Sequence, residues 1–235
     1  MRKTGAILVC IGIIILISPI VGEQYMSYKR NKLYQKYIDS NVNIKIGIVK
    51  DSDKKDGYKS IKKTYEKEQD NTRDSDRIEK NIQEQDELLD YSSVKMNDII
   101  GRIVIPSIEV DLLIIEGESK ANLAFGAVHI QNTAYPGKEG NCVIAGHRNY
   151  TFGRMFNRIG EVKKGEFIHV LLKNSELIYI IDDMEIIEPT NLEVLNQPKD
   201  VKCITLLTCH PINIGNKRLL IKGHLLEEES IGAGS

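Results

Sequence analysis

Lys202-Cys203-Ile204-Thr205-Leu206-Leu207-Thr208-Cys209 decides how the chain folds. After Lys202 it carries no charge, it is rich in apolar and β-branched residues, and His210-Pro211 ends it. Such a run reads as a buried strand stopped by a residue that cannot continue a ladder. Beyond a loop through Pro211 and Gly215, residues 218–226 read as the next strand. Upstream, residues 141–145 form another short apolar run, which delivers Gly146-His147-Arg148. Residues 167–172 and 176–187 are strand-like, and 100–105 with 110–115 suggest a hairpin-like pair. Short helices are expected at 119–127, with Ser119 as its cap, at 152–159 and at 191–195. Many short strands and few helices predict a mainly β domain, an antiparallel or mixed β-barrel.

Outside this domain the composition changes twice. Arg2-Lys3 precede an uncharged apolar run over 5–22, close to the roughly 20 residues that span a bilayer. Basic residues ahead of the run predict the N-terminus inside and the rest outside. The small-residue cleavage pattern of a signal peptide is poorly matched by Ser18-Pro19-Ile20-Val21-Gly22, so residues 1–22 read as an uncleaved anchor. Residues 23–96 read as a charged stalk, flexible or partly helical, because too few large apolar residues are present to offset the entropy of ordering. The folded barrel is expected over 97–227 and a disordered tail over 228–235.

The formal net charge of the 235 residues is -1, and no helix-turn-helix, zinc-finger or phosphate-loop pattern is present, so nucleic acid is not an expected partner. The four cysteines are Cys10, Cys142, Cys203 and Cys209, with no C-x-x-C among them. Cys203 and Cys209 share one strand and one face, roughly 20 Å apart at the usual rise per residue, too far for a disulfide or a shared metal.

Cys209 stands at a strand end, where a side chain is both held and exposed. A free cysteine is more often a small buried hydrophobe. His147 follows a strand and a glycine, and Arg218 opens the strand after the cysteine loop. Together they supply a nucleophile, a proton-transfer group and a permanent cation, a workable set for acyl transfer through a thioester. His129, His169, His210 and His224 compete with His147. His210 is a poor partner for Cys209, since adjacent strand side chains point to opposite faces. Arg148, Arg154 and Arg158 compete with Arg218.

Thr205-Leu206-Leu207-Thr208-Cys209, the preceding Gly146-His147-Arg148 and the following Arg218 resemble the signature of the sortases, in order and spacing, over about residues 99–226. The resemblance implies an eight-stranded sortase-type β-barrel with short helices, preceded by an N-terminal transmembrane helix and the charged stalk. It implies a single-pass enzyme on the extracellular face of a Gram-positive cell membrane. Its substrates would be proteins with Leu-Pro-x-Thr-Gly-type sorting signals, cut between Thr and Gly. The acyl group would pass from Cys209 to an amine acceptor such as a cell-wall precursor or a pilin lysine. Cys209, His147 and Arg218 fall on the family's catalytic residues, and Leu207 and Thr208 are expected to contact substrate.

No proline occurs between Gly22 and Pro106, so the Asp-Pro-aromatic lid usual in class C is missing. The single anchor and compact barrel are most similar to class D, with pilin-polymerising class C the alternative. No cofactor is implied. Asp182, Asp183, Glu185 and Glu188 suggest calcium less than solvated strand charges. Two other readings remain: a membrane-tethered binding module with a structural cysteine, and a thiol peptidase that releases its product to water.

Overall fold

The computed structural model describes residues 2–40, 90–148 and 155–230. A long helix, α1 (Arg2–Ser40), precedes eight strands: β1 (Ile99–Ile105), β2 (Val110–Glu116), β3 (Ala127–His129), β4 (Gly140–Ala145), β5 (Phe167–Leu171), β6 (Ser175–Ile187), β7 (Lys202–His210) and β8 (Lys217–Ser230). One short helix, α2 (Lys120–Phe125), lies between β2 and β3. Ser119 caps α2, its Oγ accepting from Asn122 N at 3.1 Å.

The strands close a barrel in the order β1-β2-β3-β4-β7-β8-β6-β5. The pairs β2–β3 and β4–β7 are parallel and the rest antiparallel, so the barrel is mixed. Alternation decides which side chains fill it. In β7, Ile204, Leu206 and Thr208 are buried, while Cys203, Leu207 and Cys209 are half-exposed. Ile103, Ile105, Ile144, Ile168, Leu177 and Ile221 join the buried set. Each such side chain contributes about 1.5–3 kcal/mol through removal from water. Tyr179 is fully buried as well, and its hydroxyl accepts a hydrogen bond from Gly137 N at 2.7 Å. Burial drives its phenol far above the ordinary range.

Three regions differ from the sequence-based expectations. The span 228–230, expected to be disordered tail, continues β8: Glu228, Glu229 and Ser230 pair with Leu177, Glu176 and Ser175. The reason is β6, whose 13 residues offer a long ladder that the polar composition of the tail did not reveal. In the expected helix at 152–159, residues 152–154 lie outside the described set, and residues 155–158 form bends and turns before a single 3-10 turn at Ile159–Glu161. Finally, parts of the span read as stalk carry buried surface. Tyr37 and Ile38 of α1 pack with Leu113 of β2, and Tyr34 Oη donates to Asp111 Oδ2 at 2.9 Å. Beneath the helix, the buried Arg102 pairs with Asp111 at 3.1 Å. Tyr91 stacks on Tyr135 at 4.3 Å and donates to Pro136 O at 2.9 Å. Residues 41–89 lie outside the described set.

The apolar run at 5–22 falls within α1. Among the described residues no helix is long and apolar enough to cross a membrane.

Candidate active site

Strand register brings Cys209 and Arg218 together. They are direct partners across the β7–β8 ladder, and opposite residues in a ladder share a face. His147 arrives from the other side of β7. The β4–β7 register ends with Ala145 beside Leu207, and Gly146 N continues it by donating to Leu207 O at 3.1 Å. His147 lies two residues past the end of β4, so the row at this end of the barrel is Cys209 and Arg218 on paired strands, with His147 in the segment that leaves the strand beside them.

The row is held by bonds around it. Thr208 is 3% exposed, and its hydroxyl donates to Gly146 O at 2.7 Å. Its burial corrects the expectation of substrate contact: the side chain points inward and anchors the approach to His147. Leu207, on the opposite face, is half-exposed beside Cys209. Gly146 is required by close packing, since a Cβ there would lie 2.6 Å from the Phe156 ring. Phe156 N in turn donates to His147 O at 3.0 Å. Arg218 Nη1 donates to Gly215 O and Lys217 O, both at 2.9 Å, tying down the loop whose Gly215 lies against Cys209.

Burial lowers the pKa of His147 below its ordinary value of 6.5. Its imidazole is therefore neutral near pH 7, able to accept a proton and return it. The other two described thiols are poor nucleophiles. Cys142 is fully buried and its thiol is pushed far up; Cys203 is raised by burial first and by Asp182 second. Both are free thiols, as is Cys209.

The competing histidines have other partners. His129 is buried against Glu116 at 2.7 Å, His169 pairs with Glu176 at 2.6 Å, and His224 pairs with Asp182 at 2.7 Å. His210 accepts from Arg148 Nη1 at 2.9 Å. Arg158 pairs with Glu161; Arg154 lies outside the described residues. In the acidic stretch, Asp182 faces His224, Glu185 faces Lys222 and Glu188 faces Lys217. The two lysine contacts are partly exposed ion pairs, each worth no more than about 1 kcal/mol.

Sequence reasoning did not find a groove farther back along β7. A cavity of about 620 Å³ lies on the outer face of β7, lined by Cys203, Thr205, Lys222, Asp183, Val194 and Pro198 among others. Its wall, the loop from β6 to β7, is fastened to β4. Gln197 Oε1 accepts from Asn141 N and Ala134 N at 2.9 and 3.1 Å, and Gln197 Nε2 donates to Asn141 O at 3.0 Å. Asn141 Nδ2 donates to Val194 O at 2.8 Å, and Thr205 Oγ1 donates to Asn141 Oδ1 at 2.8 Å. The only signal in the sequence was polar residues at positions otherwise read as strand, Asn141 and Thr205.

A family profile for the sortase domain matches residues 103–226. Sortase A of Listeria monocytogenes serovar 1/2a is 32% identical over 133 residues, 57% of this chain and 59% of that protein. Sortase D of Bacillus subtilis strain 168 is 32% identical over 126 residues, 52% of this chain and 62% of that protein. The chain thus spans less than two thirds of either relative's length. Among solved structures, sortase C-3 of Streptococcus pneumoniae superposes with a TM-score of 0.56 at 28% identity, covering 60% of this chain and 69% of that one.

Proposed function

The chain belongs to the sortase family, and from that premise we propose that it is a membrane-anchored cysteine transpeptidase acting on Leu-Pro-x-Thr-Gly-type sorting signals. The observation that carries this reading is the pairing of Cys209 with Arg218 across β7 and β8, with His147 just past the end of β4, the strand on the other side of β7.

The chemistry follows from the row. As the Cys209 sulfur attacks the threonine carbonyl carbon of the signal, its thiol proton passes to the neutral His147 imidazole. The developing oxyanion is offset by Arg218, whose fork also holds the loop beside the cysteine. As the C–N bond breaks, His147 gives its proton to the departing glycine amine, leaving a thioester. An acceptor amine then attacks the thioester, loses a proton to His147, and expels the thiolate. The groove supports an extended substrate. From Thr205 to Cys209 is about 13 Å along the strand, the length of four extended residues. That distance sets the first residues of the signal in the cavity when the threonine carbonyl reaches the sulfur.

The reading nearest to class D rests on the sequence, which has no proline between Gly22 and Pro106 and so no Asp-Pro-aromatic lid. On it, the acceptor is a cell-wall precursor amine rather than a pilin lysine. A fluorogenic Leu-Pro-x-Thr-Gly peptide, offered with and without an amine acceptor, tests the activity. Cleavage accelerated by the amine, with the acyl group recovered on it, is the expected result. Cleavage indifferent to amines would make the protein a hydrolytic peptidase, and an inert Cys209 would make it a binding module.

The anchor belongs to the same proposal. It rests on the uncharged run at 5–22 behind Arg2-Lys3, which orients the barrel to the extracellular face. Protease added to intact, wall-stripped cells is expected to degrade the barrel or the span before it. Complete protection of the domain would remove the outward orientation.

A further inference from the structure

Two residues flanking the proposed catalytic pair are bonded to each other. Arg148 follows His147, and His210 follows Cys209. Arg148 Nη1 lies 2.9 Å from His210 Nδ1, in a half-buried position. A guanidinium carries only donors, so Nδ1 must be the acceptor nitrogen of a neutral ring. The bond is therefore charge-assisted and directional. The rest of the guanidinium is seated as well. Its Nε faces Asn157 O at 3.4 Å, and its Nη2 rests on Gly160, where an added Cβ would come within 2.8 Å.

We propose that Arg148 and His210 form a clamp that holds the His147 imidazole in register with the Cys209 sulfur. The inference rests on the functional reading above, and assigns both as positioning residues. His147 stands beyond the last β4 residue, so the β4–β7 ladder does not fix it. On its N-terminal side Gly146 is tied to β7 by Thr208 Oγ1 and Leu207 O. The clamp supplies the tie on its C-terminal side, to the residue after the nucleophile. The nucleophile and the proton-transfer group are thereby fastened from both flanks. Together with Phe156 N, which donates to His147 O at 3.0 Å, the clamp confines the segment at 147 beside the end of β7.

A double-variant cycle tests the clamp, using the full chain in detergent micelles and the sorting-signal peptide. Rates are referred to the concentration of Cys209 that forms an acyl adduct, so unfolded protein does not count. Arg148→Leu and His210→Leu should each lower kcat about 100-fold, the scale expected from a displacement of about 1 Å at a reacting group, with KM unchanged. The double variant should lose no more than either single one, because both remove the same bond. His210→Asn should recover most of the loss seen in His210→Leu, since its Oδ1 occupies the place of Nδ1 and accepts the same hydrogen bond. Multiplicative losses in the double variant, losses confined to KM, or an Asn variant as slow as the Leu variant would overturn the clamp alone. A wild-type protein that forms no thioester on Cys209 would overturn the functional reading, and the clamp's role with it.

Discussion

Cys209→Ala is expected to abolish both peptide cleavage and the covalent intermediate, the largest effect any single substitution should have. No neighbouring group can take over. Cys142 is sealed in the core with its thiol pushed far up. Cys203 sits six positions back along the same strand face, roughly 20 Å away. The structural cost should be small, because Cys209 is half-exposed at the strand end and fills no cavity in the core cluster. Mass spectrometry of enzyme mixed with a sorting-signal peptide reads the result. An acyl adduct mapped to Cys142 or Cys203, or an adduct that survives in the alanine variant, would show that the nucleophile is elsewhere.

The second large effect concerns the two residues beside it. His147→Ala should lower the rate by about 10²–10⁴-fold, the usual worth of positioned acid–base help. Arg218→Ala should cost about 10²–10³-fold, as removal of one oxyanion donor does. Arg218→Lys should recover little. In the arginine, Nη1 already bonds two carbonyls, Gly215 O and Lys217 O, while the rest of the fork is available to the substrate. A lysine offers one point charge and cannot hold the loop and meet the substrate together. Single-turnover acylation measured for each variant, with a melting curve to exclude unfolding, checks this. Wild-type rates in His147→Ala, or full activity in Arg218→Lys, would remove those residues from their roles.

Much of the barrel was legible because its strands obey simple periodic rules. The alternation of Ile204, Leu206 and Thr208 against Cys203, Leu207 and Cys209 needs only a period of two and one wet face. Pro106, Pro189 and Pro211 stop strands wherever they occur after β1, β6 and β7. Where the rule is not local, the sequence misled. The last residues of β8 are Glu-rich and read as tail, yet they pair with β6 because that strand is long enough to receive them. Tyr34, Tyr37 and Ile38 read as part of a stalk, and their partners Asp111 and Leu113 lie far along the chain in β2, Asp111 being 77 residues from Tyr34. Thr208 sat inside a motif that suggested substrate contact, and only the face it occupies turned it into a support for Gly146.

By itself the sequence determined the β architecture and offered His147, Cys209 and Arg218 as candidates, because strand periodicity, strand-ending prolines and reactive side chains are all local properties. It could not decide that Cys209 faces Arg218 with His147 just past the neighbouring strand, since register across β4, β7 and β8 depends on pairings between segments up to about sixty residues apart. Nor could it decide what His210 does. Next to the cysteine in the chain but on the opposite side of the strand, it is excluded from direct chemistry by local geometry. Only closure of the barrel, which brings the loop after β4 over the end of β7, puts Arg148 within 2.9 Å of it. Side-chain chemistry travels with the sequence; the distances that make it useful belong to the closed sheet.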